Sequence, residues 1–219
     1  MSLVSRARRA GLLAGLIACI GADCSAATAA PTAAPVLLVV GDSLSAEYGL
    51  ARGSGWVALL AERLKAQKSP LQVVNASISG DTTAGGRSRL PGLLAQHKPA
   101  VVVIELGGND ALRGLPVTST RDNLMAMTSA AQQAGAKVLL VGMQVPPNYG
   151  RAYTEEFARS FQDVARERRA GLVPFLLAGV ADRPDAEAWF QSDRIHPLAK
   201  AHPLMLDNVW PALKTLLPR

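Results

Sequence analysis

The sequence has few cysteines and no long hydrophobic run, and both shortages exclude whole classes of protein. Of its 219 residues only two are cysteine, Cys19 and Cys24, and both fall within the first thirty positions. The rest of the chain therefore has no cysteine nucleophile, no thiolate zinc site and no disulfide framework. The longest apolar run, residues 11–22, is shorter than the ~20 residues that a membrane-spanning helix needs. We therefore do not expect an integral membrane protein.

The first thirty residues have the pattern of an export signal rather than of a folded domain. Three arginines precede the apolar run, and small residues follow it. This pattern predicts a secretory signal peptide over residues 1–30, a mature domain over residues 31–219, and a periplasmic or secreted protein. Residues 27–29 suit an ordinary signal peptidase, which we favour, whereas residues 16–19 resemble a lipobox that would leave Cys19 lipidated.

The charge of the chain gives no sign of a nucleic-acid partner. The formal net charge is +6, and removal of residues 1–30 takes away three arginines and one aspartate, which lowers it to +4. The remaining basic residues are scattered and form no patch interleaved with aromatic residues. We therefore expect no nucleic-acid partner. A monomer is expected as well.

Composition and periodicity together predict the fold. Apolar residues make up 49% of the chain and charged residues 18%, as in an ordinary globular domain. Short β-rich runs alternate with helical patterns, predicting strands at 36–40, 72–75, 101–106, 137–142 and 172–176 and helices at 54–67, 83–97, 120–134 and 154–169 and after residue 197. This alternation predicts a flavodoxin-like three-layer α/β/α sandwich with a five-stranded parallel sheet.

Polar residues that can carry chemistry follow the predicted strands. The first strand leads into Gly-Asp-Ser at 41–43, the second into Ser-Gly-Asp at 79–81, and the third into Gly-Gly-Asn-Asp at 107–110. A fourth block, Asp-Arg-Ile-His-Pro at 193–197, is expected to open the last helix. Because such sheets bind ligands beyond the carboxyl ends of their strands, the blocks predict a single site.

A catalytic triad can be assembled from these blocks. Ser43 is the candidate nucleophile, His196 the candidate base, and Asp193 the carboxylate that orients the imidazole. The backbone N–H groups of Ser43 and Gly80 and the side-chain amide of Asn109 are candidate oxyanion donors. Each block alone has a plainer explanation as a turn or a helix cap. Their joint placement at successive strand ends is what favours a site.

Two further observations bear on the catalytic interpretation. No Gly-x-Ser-x-Gly sequence occurs in the chain, so the nucleophile elbow of the ordinary α/β-hydrolases is not encoded. Glu105 falls within the third predicted strand. We expect it to be a buried, hydrogen-bonded support rather than a general acid.

The four blocks resemble those of the SGNH hydrolases, also called the GDSL lipase/esterase family. The resemblance extends from near Val36 to the end of the chain and is closest to periplasmic members with arylesterase, acyl-CoA thioesterase and lysophospholipase activity. It implies that Ser43 attacks the acyl carbon and that His196 acts as base and then as acid. It also implies that Gly80 and Asn109 complete the oxyanion hole, with no metal and no organic cofactor.

Two residues depart from the pattern of that family. Relatives often have glycine where this chain has Glu47 and Arg194. Neither change removes a catalytic group. We expect both to influence substrate preference near the site.

The segment after Asn109 is the expected wall of the acyl site. Leu112, Gly114, Leu115 and Pro116 leave the sheet beside the predicted oxyanion hole, and the two leucines offer apolar surface. The glycine permits backbone conformations that other residues resist, so a mobile flap is expected. The alternative is a passive surface loop ahead of the next helix.

Two rival functions also fit parts of the sequence. A metal-dependent phosphohydrolase would use Asp42, Asp110, Asp193 and His196 as ligands, and its activity would be sensitive to chelators and resistant to fluorophosphonates. A catalytically silent binding module on the same fold would show no acylation at the active site.

Overall fold

The structure is a computed structural model and describes residues 34–218. The predicted signal peptide and the alternative lipid anchor at Cys19 lie outside the described residues, so both stay predictions. In this described part of the chain, no helix has the length and apolarity that crossing a bilayer requires.

Five parallel strands form one sheet in the order β2-β1-β3-β4-β5. They are β1 (Val36–Gly41), β2 (Gln72–Asn75), β3 (Val101–Glu105), β4 (Lys137–Val141) and β5 (Gly171–Val173). The central strands β1, β3 and β4 are buried along nearly their whole length, which is why their sequences are continuous apolar runs. The strand order reverses between β1 and β3, and ligands of such sheets bind in the crevice at that point.

Helices cover both faces of the sheet. They are α1 (Trp56–Ala66), α2 (Thr83–His97), α3 (Gly108–Leu112), α4 (Val117–Gln133), α5 (Arg151–Arg168) and α6 (His202–Leu213). Helix α1 packs against α6, whereas α2, α4 and α5 pack side by side. The preference for right-handed crossovers accounts for which helices share a face of the sheet. The connection from β1 to β2 runs toward one edge strand, β2, whereas the later connections run toward the other, β5. The predicted three-layer sandwich is confirmed.

All five predicted strands, and the four helices for which both ends were predicted, are confirmed to within three residues at each end. Strand β5 ends at Val173 rather than at residue 176, because Pro174 has no N–H group to continue the ladder. Helix α4 begins directly after Pro116, earlier than the predicted residue 120. The short helix α3 was not predicted at all, since its sequence is typical of a turn.

The block at residues 193–197 precedes the last helix, as predicted, but a 3-10 turn (Ala199–Ala201) lies between the two. Helix α6 begins at His202, and Pro203 rather than Pro197 occupies its first turn. The block lies in a loop whose ends are joined by an antiparallel bridge between Phe190 and Pro197. The two candidate triad residues therefore project from a closed loop.

Candidate active site

The predicted site residues meet at the edge of the sheet where β1, β2 and β3 end. Ser43 lies two residues after β1, Gly80 lies in the loop after β2, and Asn109 lies in α3, shortly after β3. The loop of residues 190–197 brings His196 to the same edge, beside the serine. The blocks separated in sequence therefore share one crevice, at the point where the strand order reverses.

Ser43, His196 and Asp193 form a continuous line of hydrogen bonds. The Nε2 atom of His196 lies 2.9 Å from Oγ of Ser43, and its Nδ1 atom lies 2.7 Å from Oδ2 of Asp193. A neutral imidazole that donates from Nδ1 to the carboxylate leaves Nε2 as an acceptor for the serine proton. The arrangement is that of a nucleophile, a base and an orienting carboxylate.

Asp193 is held in place by the backbone of its own loop. Its Oδ1 atom accepts the N–H groups of Ile195 at 2.9 Å and of His196 at 3.0 Å. Hydrogen bonding, chiefly from the backbone N–H of His196, lowers the pKa of Asp193 from 3.8 to about 2. The carboxylate is therefore charged at neutral pH and can stabilise an imidazolium beside it.

Two side chains that the sequence did not indicate complete the surroundings of the histidine. The ring of Tyr48 lies against the ring of His196, with centroids 4.3 Å apart. Gln191 donates from Nε2 to the carbonyl of Tyr48 at 2.9 Å, and its backbone N–H donates to the carbonyl of His196 at 2.7 Å. Gln191 thereby ties the histidine loop to the loop that follows Ser43. Neither residue lies in a recognisable motif, so sequence reasoning had no signal for them.

The candidate oxyanion donors differ in their hydrogen-bond partners. The side-chain nitrogen of Asn109 donates to Oδ2 of Asp42 at 3.1 Å and to the carbonyl of Asp81 at 3.0 Å. Donation to a substrate oxygen therefore requires one of these bonds to be shared or released. Within residues 34–218, the backbone N–H groups of Ser43 and Gly80 pair with no protein acceptor. Gly80 has a φ of 79°, which favours glycine at this position.

Two buried carboxylates adjoin the nucleophile loop. Asp42 accepts the N–H of Leu44 at 3.0 Å, and burial raises the pKa of Asp42 from 3.8 to about 6. Glu105 accepts the hydroxyl of Ser45 at 2.6 Å, and that hydroxyl in turn accepts the indole N–H of Trp56 at 3.2 Å. Burial and the neighbouring Asp42 charge raise the pKa of Glu105 well above its ordinary value. The prediction that Glu105 is a buried, hydrogen-bonded support is confirmed.

The ligand set of the rival phosphohydrolase is not gathered in one place. Asp110 is buried and accepts the backbone N–H and the hydroxyl of Thr83. Asp42 accepts instead from Leu44 and Asn109. Over the described range 34–218, no group of three or more histidine, cysteine or acidic side chains is arranged to hold a metal ion.

A cleft of about 320 Å³ opens beside the triad. Its polar lining includes Ser43, Asn109 and His196, and apolar side chains form most of the remaining wall, among them Leu112, Met143, Val145, Phe175, Leu177 and Phe190. Several of these wall residues follow β4 and β5. They were not predicted, because they are apolar and the predicted site residues were polar ones at strand ends. The cleft combines an apolar wall with a few convergent polar groups, as small-molecule sites do.

The predicted substrate-contacting segment contributes only one residue to this wall. Leu112 lines the cleft, whereas Gly114, Leu115 and Pro116 lie outside its lining, so the cleft supports a substrate contact for Leu112 alone among these four. The carbonyl of Leu115 accepts the hydroxyl of Tyr153, in α5, at 3.0 Å. This bond holds the segment against α5 instead of against the cleft.

Glu47 and Arg194, the two departures from the family pattern, share an unusual backbone conformation. Both have a φ of 59°, in the left-handed region that glycine adopts most readily. The Glu47 carboxylate accepts the N–H groups of Gly53 at 3.0 Å and Gly55 at 2.7 Å. Arg194 lines the cleft, and its guanidinium lies 3.6 Å from the exposed carboxylate of Glu187.

Comparison with known proteins gives consistent matches. Residues 39–204 match the model of the GDSL-like Lipase/Acylhydrolase family. The chain is 55% identical over 181 residues to Esterase TesA of Pseudomonas aeruginosa, covering 83% of this chain and 89% of that protein. It is 42% identical over 181 residues to thioesterase 1/protease 1/lysophospholipase L1 of Escherichia coli K12, covering 83% and 84%. The solved structure of esterase EstA from Pseudoalteromonas sp. matches with a TM-score of 0.77 at 40% identity, covering 82% of this chain and 97% of that one.

Proposed function

Because this chain belongs to the GDSL-like lipase/acylhydrolase family, we propose that it cleaves acyl esters and thioesters as a serine hydrolase. The observation that carries the proposal is the hydrogen-bonded line from Ser43 through His196 to Asp193 beside an apolar cleft. A serine whose proton has an acceptor at hydrogen-bonding distance is an activated nucleophile. The cleft offers an acyl chain a place next to it.

In the first half of the reaction, Ser43 becomes acylated. Its Oγ atom attacks the acyl carbon while Nε2 of His196 takes the hydroxyl proton, and Asp193 stabilises the resulting imidazolium. The negative charge that develops on the acyl oxygen is stabilised by hydrogen bonds from the backbone N–H groups of Ser43 and Gly80 and from the side-chain amide of Asn109. The imidazolium then gives its proton to the departing alkoxide or thiolate, which leaves the acyl group on the serine.

In the second half, water releases the acyl group. His196 takes a proton from the attacking water, the same oxyanion donors hold the second tetrahedral intermediate, and the proton returns to Ser43 as the acid departs. A thiol with a pKa of about 8.5 leaves more readily than an alcohol. We therefore expect thioesters to depend less than alkyl esters on proton donation by the histidine.

The cleft supports an acyl chain as the larger part of the substrate. Leu112, Met143 and Phe175 are among the apolar side chains that would contact it. Among the described residues, Arg194 is the only lysine or arginine that lines the cleft, so lysophospholipids, which carry a phosphate, are candidate substrates. We further propose that the enzyme is exported to the periplasm, as the sequence of residues 1–30 predicts. We also propose that it acts there as a monomer.

The proposal is tested by a hydrolysis panel of p-nitrophenyl and CoA esters of graded chain length. We expect the protein to hydrolyse members of both series and Ser43→Ala to abolish turnover. Ser77→Ala is a matched control, because its hydroxyl is buried near the site and has no hydrogen-bond partner in the described structure. Turnover that survives Ser43→Ala, or that disappears with a chelator, would contradict the proposal. Substrate binding without turnover by the unaltered protein would favour the silent binding module.

A further inference from the structure

The guanidinium of Arg89, in α2, contacts the end of β1 and two points in the loop after β2. It donates from Nε to Oδ2 of Asp81 at 2.8 Å, from one terminal nitrogen to the carbonyl of Ala76, and from the other to the carbonyl of Gly41 at 3.4 Å. The exposed fractions of the two charged side chains are only 21% for Arg89 and 11% for Asp81. Arg89 is not among the described residues that line the cleft, so its contacts are with the protein.

The three acceptors belong to the segments that carry the proposed oxyanion donors. Gly41 ends β1, two residues before the nucleophile, and Ala76 and Asp81 lie on either side of Gly80 in the loop after β2. The carbonyl of Asp81 also accepts the side-chain amide of Asn109 at 3.0 Å. Arg89 therefore contacts the backbone near Ser43 and Gly80, and it also contacts Asp81, whose carbonyl holds the side-chain amide of Asn109.

An oxyanion hole works only while its donors stay aimed at the developing charge. A misplacement of about 1 Å can cost about 10²-fold in rate. Arginine suits this task because its planar fork carries five N–H donors in fixed directions and stays charged, whereas lysine has a single nitrogen on a flexible stem. Without Arg89, the carboxylate of Asp81 would lose its cationic partner, and the end of β1 and the loop after β2 would lose the side chain that contacts both.

We propose that Arg89 is a positioning residue that fixes the geometry of the oxyanion hole. It acts through Asp81 and two backbone carbonyls, and it neither transfers a proton nor touches the substrate. The inference rests on the serine-hydrolase function proposed above, since that function gives the hole its role.

The test compares Arg89→Met and Arg89→Lys with Arg87→Met. Arg87 is a matched control, because it lies in the same helix and donates to Asn123 at 3.2 Å, on an exposed surface. Fluorophosphonate titration to completion counts the competent sites, so that kcat is expressed per site. We expect Arg89→Met to lower kcat about 10- to 100-fold with a much smaller change in KM. Arg89→Lys should fall between that variant and the unaltered protein, and Arg87→Met should match the latter.

A double-variant cycle with Asn109→Ala separates positioning from general stability. If Arg89 acts through the hole, the combined loss in kcat is smaller than the product of the two single losses. A purely structural role would lower the number of titratable sites and the melting temperature while leaving kcat per site unchanged, and that result would overturn the inference. Multiplicative losses would also overturn it. If Arg89→Met does not fold, the comparison uses Arg89→Lys. Turnover by Ser43→Ala would contradict the proposed function rather than the role of Arg89.

Discussion

Asn109 is the only proposed oxyanion donor that acts through its side chain, so its contribution can be removed by substitution. We expect Asn109→Ala to lower kcat about 10²- to 10³-fold and to change KM much less, since the donor acts on charge that develops in the transition state. Asn148→Ala, at an exposed position, is the control. Steady-state kinetics on one p-nitrophenyl ester suffice, and an unchanged kcat would show that Asn109 serves only the fold.

Glu47 and Arg194 have the same left-handed backbone conformation, but only the Glu47 side chain forms hydrogen bonds that offset its cost. Replacing each with glycine should therefore have opposite effects on stability. Arg194→Gly relieves the left-handed conformation and loses only an exposed ion pair, so we expect the free energy of unfolding to rise by up to about 1 kcal/mol. Glu47→Gly also removes the carboxylate that holds two N–H groups, and we expect a net loss of about 1 kcal/mol. Urea unfolding measures both, and equal shifts in the same direction would contradict this account.

The sequence predicted the residues that carry chemistry better than the residues that hold them. Ser43, Asn109 and His196 stand in blocks whose residue types suit one reaction, and the structure brings them together. Gln191 and Arg89 act through hydrogen bonds to backbone carbonyls far away in the sequence. Any polar side chain of sufficient length can make such bonds, so no local pattern marks these residues.

Among the elements, the long periodic ones were predictable and the short connecting ones were not. Strands β1, β3 and β4 are recognisable because burial on both faces requires continuous apolar runs, and α2 was predicted at its observed bounds. Helix α3 spans five residues, too few for a periodic pattern. The loop of residues 190–197 is closed by a bridge between its two ends, which no window of local sequence reveals.

The walls of the cleft come from loops after several strands, and this division predicts which leucine selects chain length. Leu112 lines the cleft and Leu115 does not. A methylene that becomes buried against the wall contributes up to ~0.8 kcal/mol, so Leu112→Ala should reduce kcat/KM more for long acyl chains than for short ones. Leu115→Ala, the matched control, should show no dependence on chain length. A uniform loss for Leu112→Ala, or a chain-length dependence for Leu115→Ala, would show that the wall lies elsewhere.

At the scale of the whole molecule, the parallel sheet explains why distant blocks of sequence form one site. The order β2-β1-β3 places the carboxyl ends of three parallel strands side by side, so the loops that follow these strands meet there. This much followed from the alternation of strands and helices in the sequence. The distances within the triad did not, because they depend on how the last loop folds back.

The buried carboxyl of Asp42 should make the stability of the whole molecule depend on pH. Its pKa is raised from 3.8 to about 6 by burial, so the folded state holds this proton more tightly than the unfolded state does. Stability should therefore fall as the pH rises from about 4 to about 6, and this contribution should be absent in Asp42→Asn. Urea unfolding of both proteins across this range measures the difference in free energy. We expect the free energy of unfolding of the unaltered protein, minus that of Asp42→Asn, to fall over this range. A value that stays constant or rises with pH would contradict this expectation.

The proposed role of Ser43 as the nucleophile of an acyl-enzyme mechanism is tested most directly by locating a covalent adduct. The protein is treated with a fluorophosphonate, digested and analysed by mass spectrometry, with Ser43→Ala as the control. We expect one adduct per chain, on Ser43, formed in step with the loss of ester hydrolysis and absent from the variant. An adduct on Ser45 or Ser77, or continued hydrolysis with no adduct at all, would contradict it.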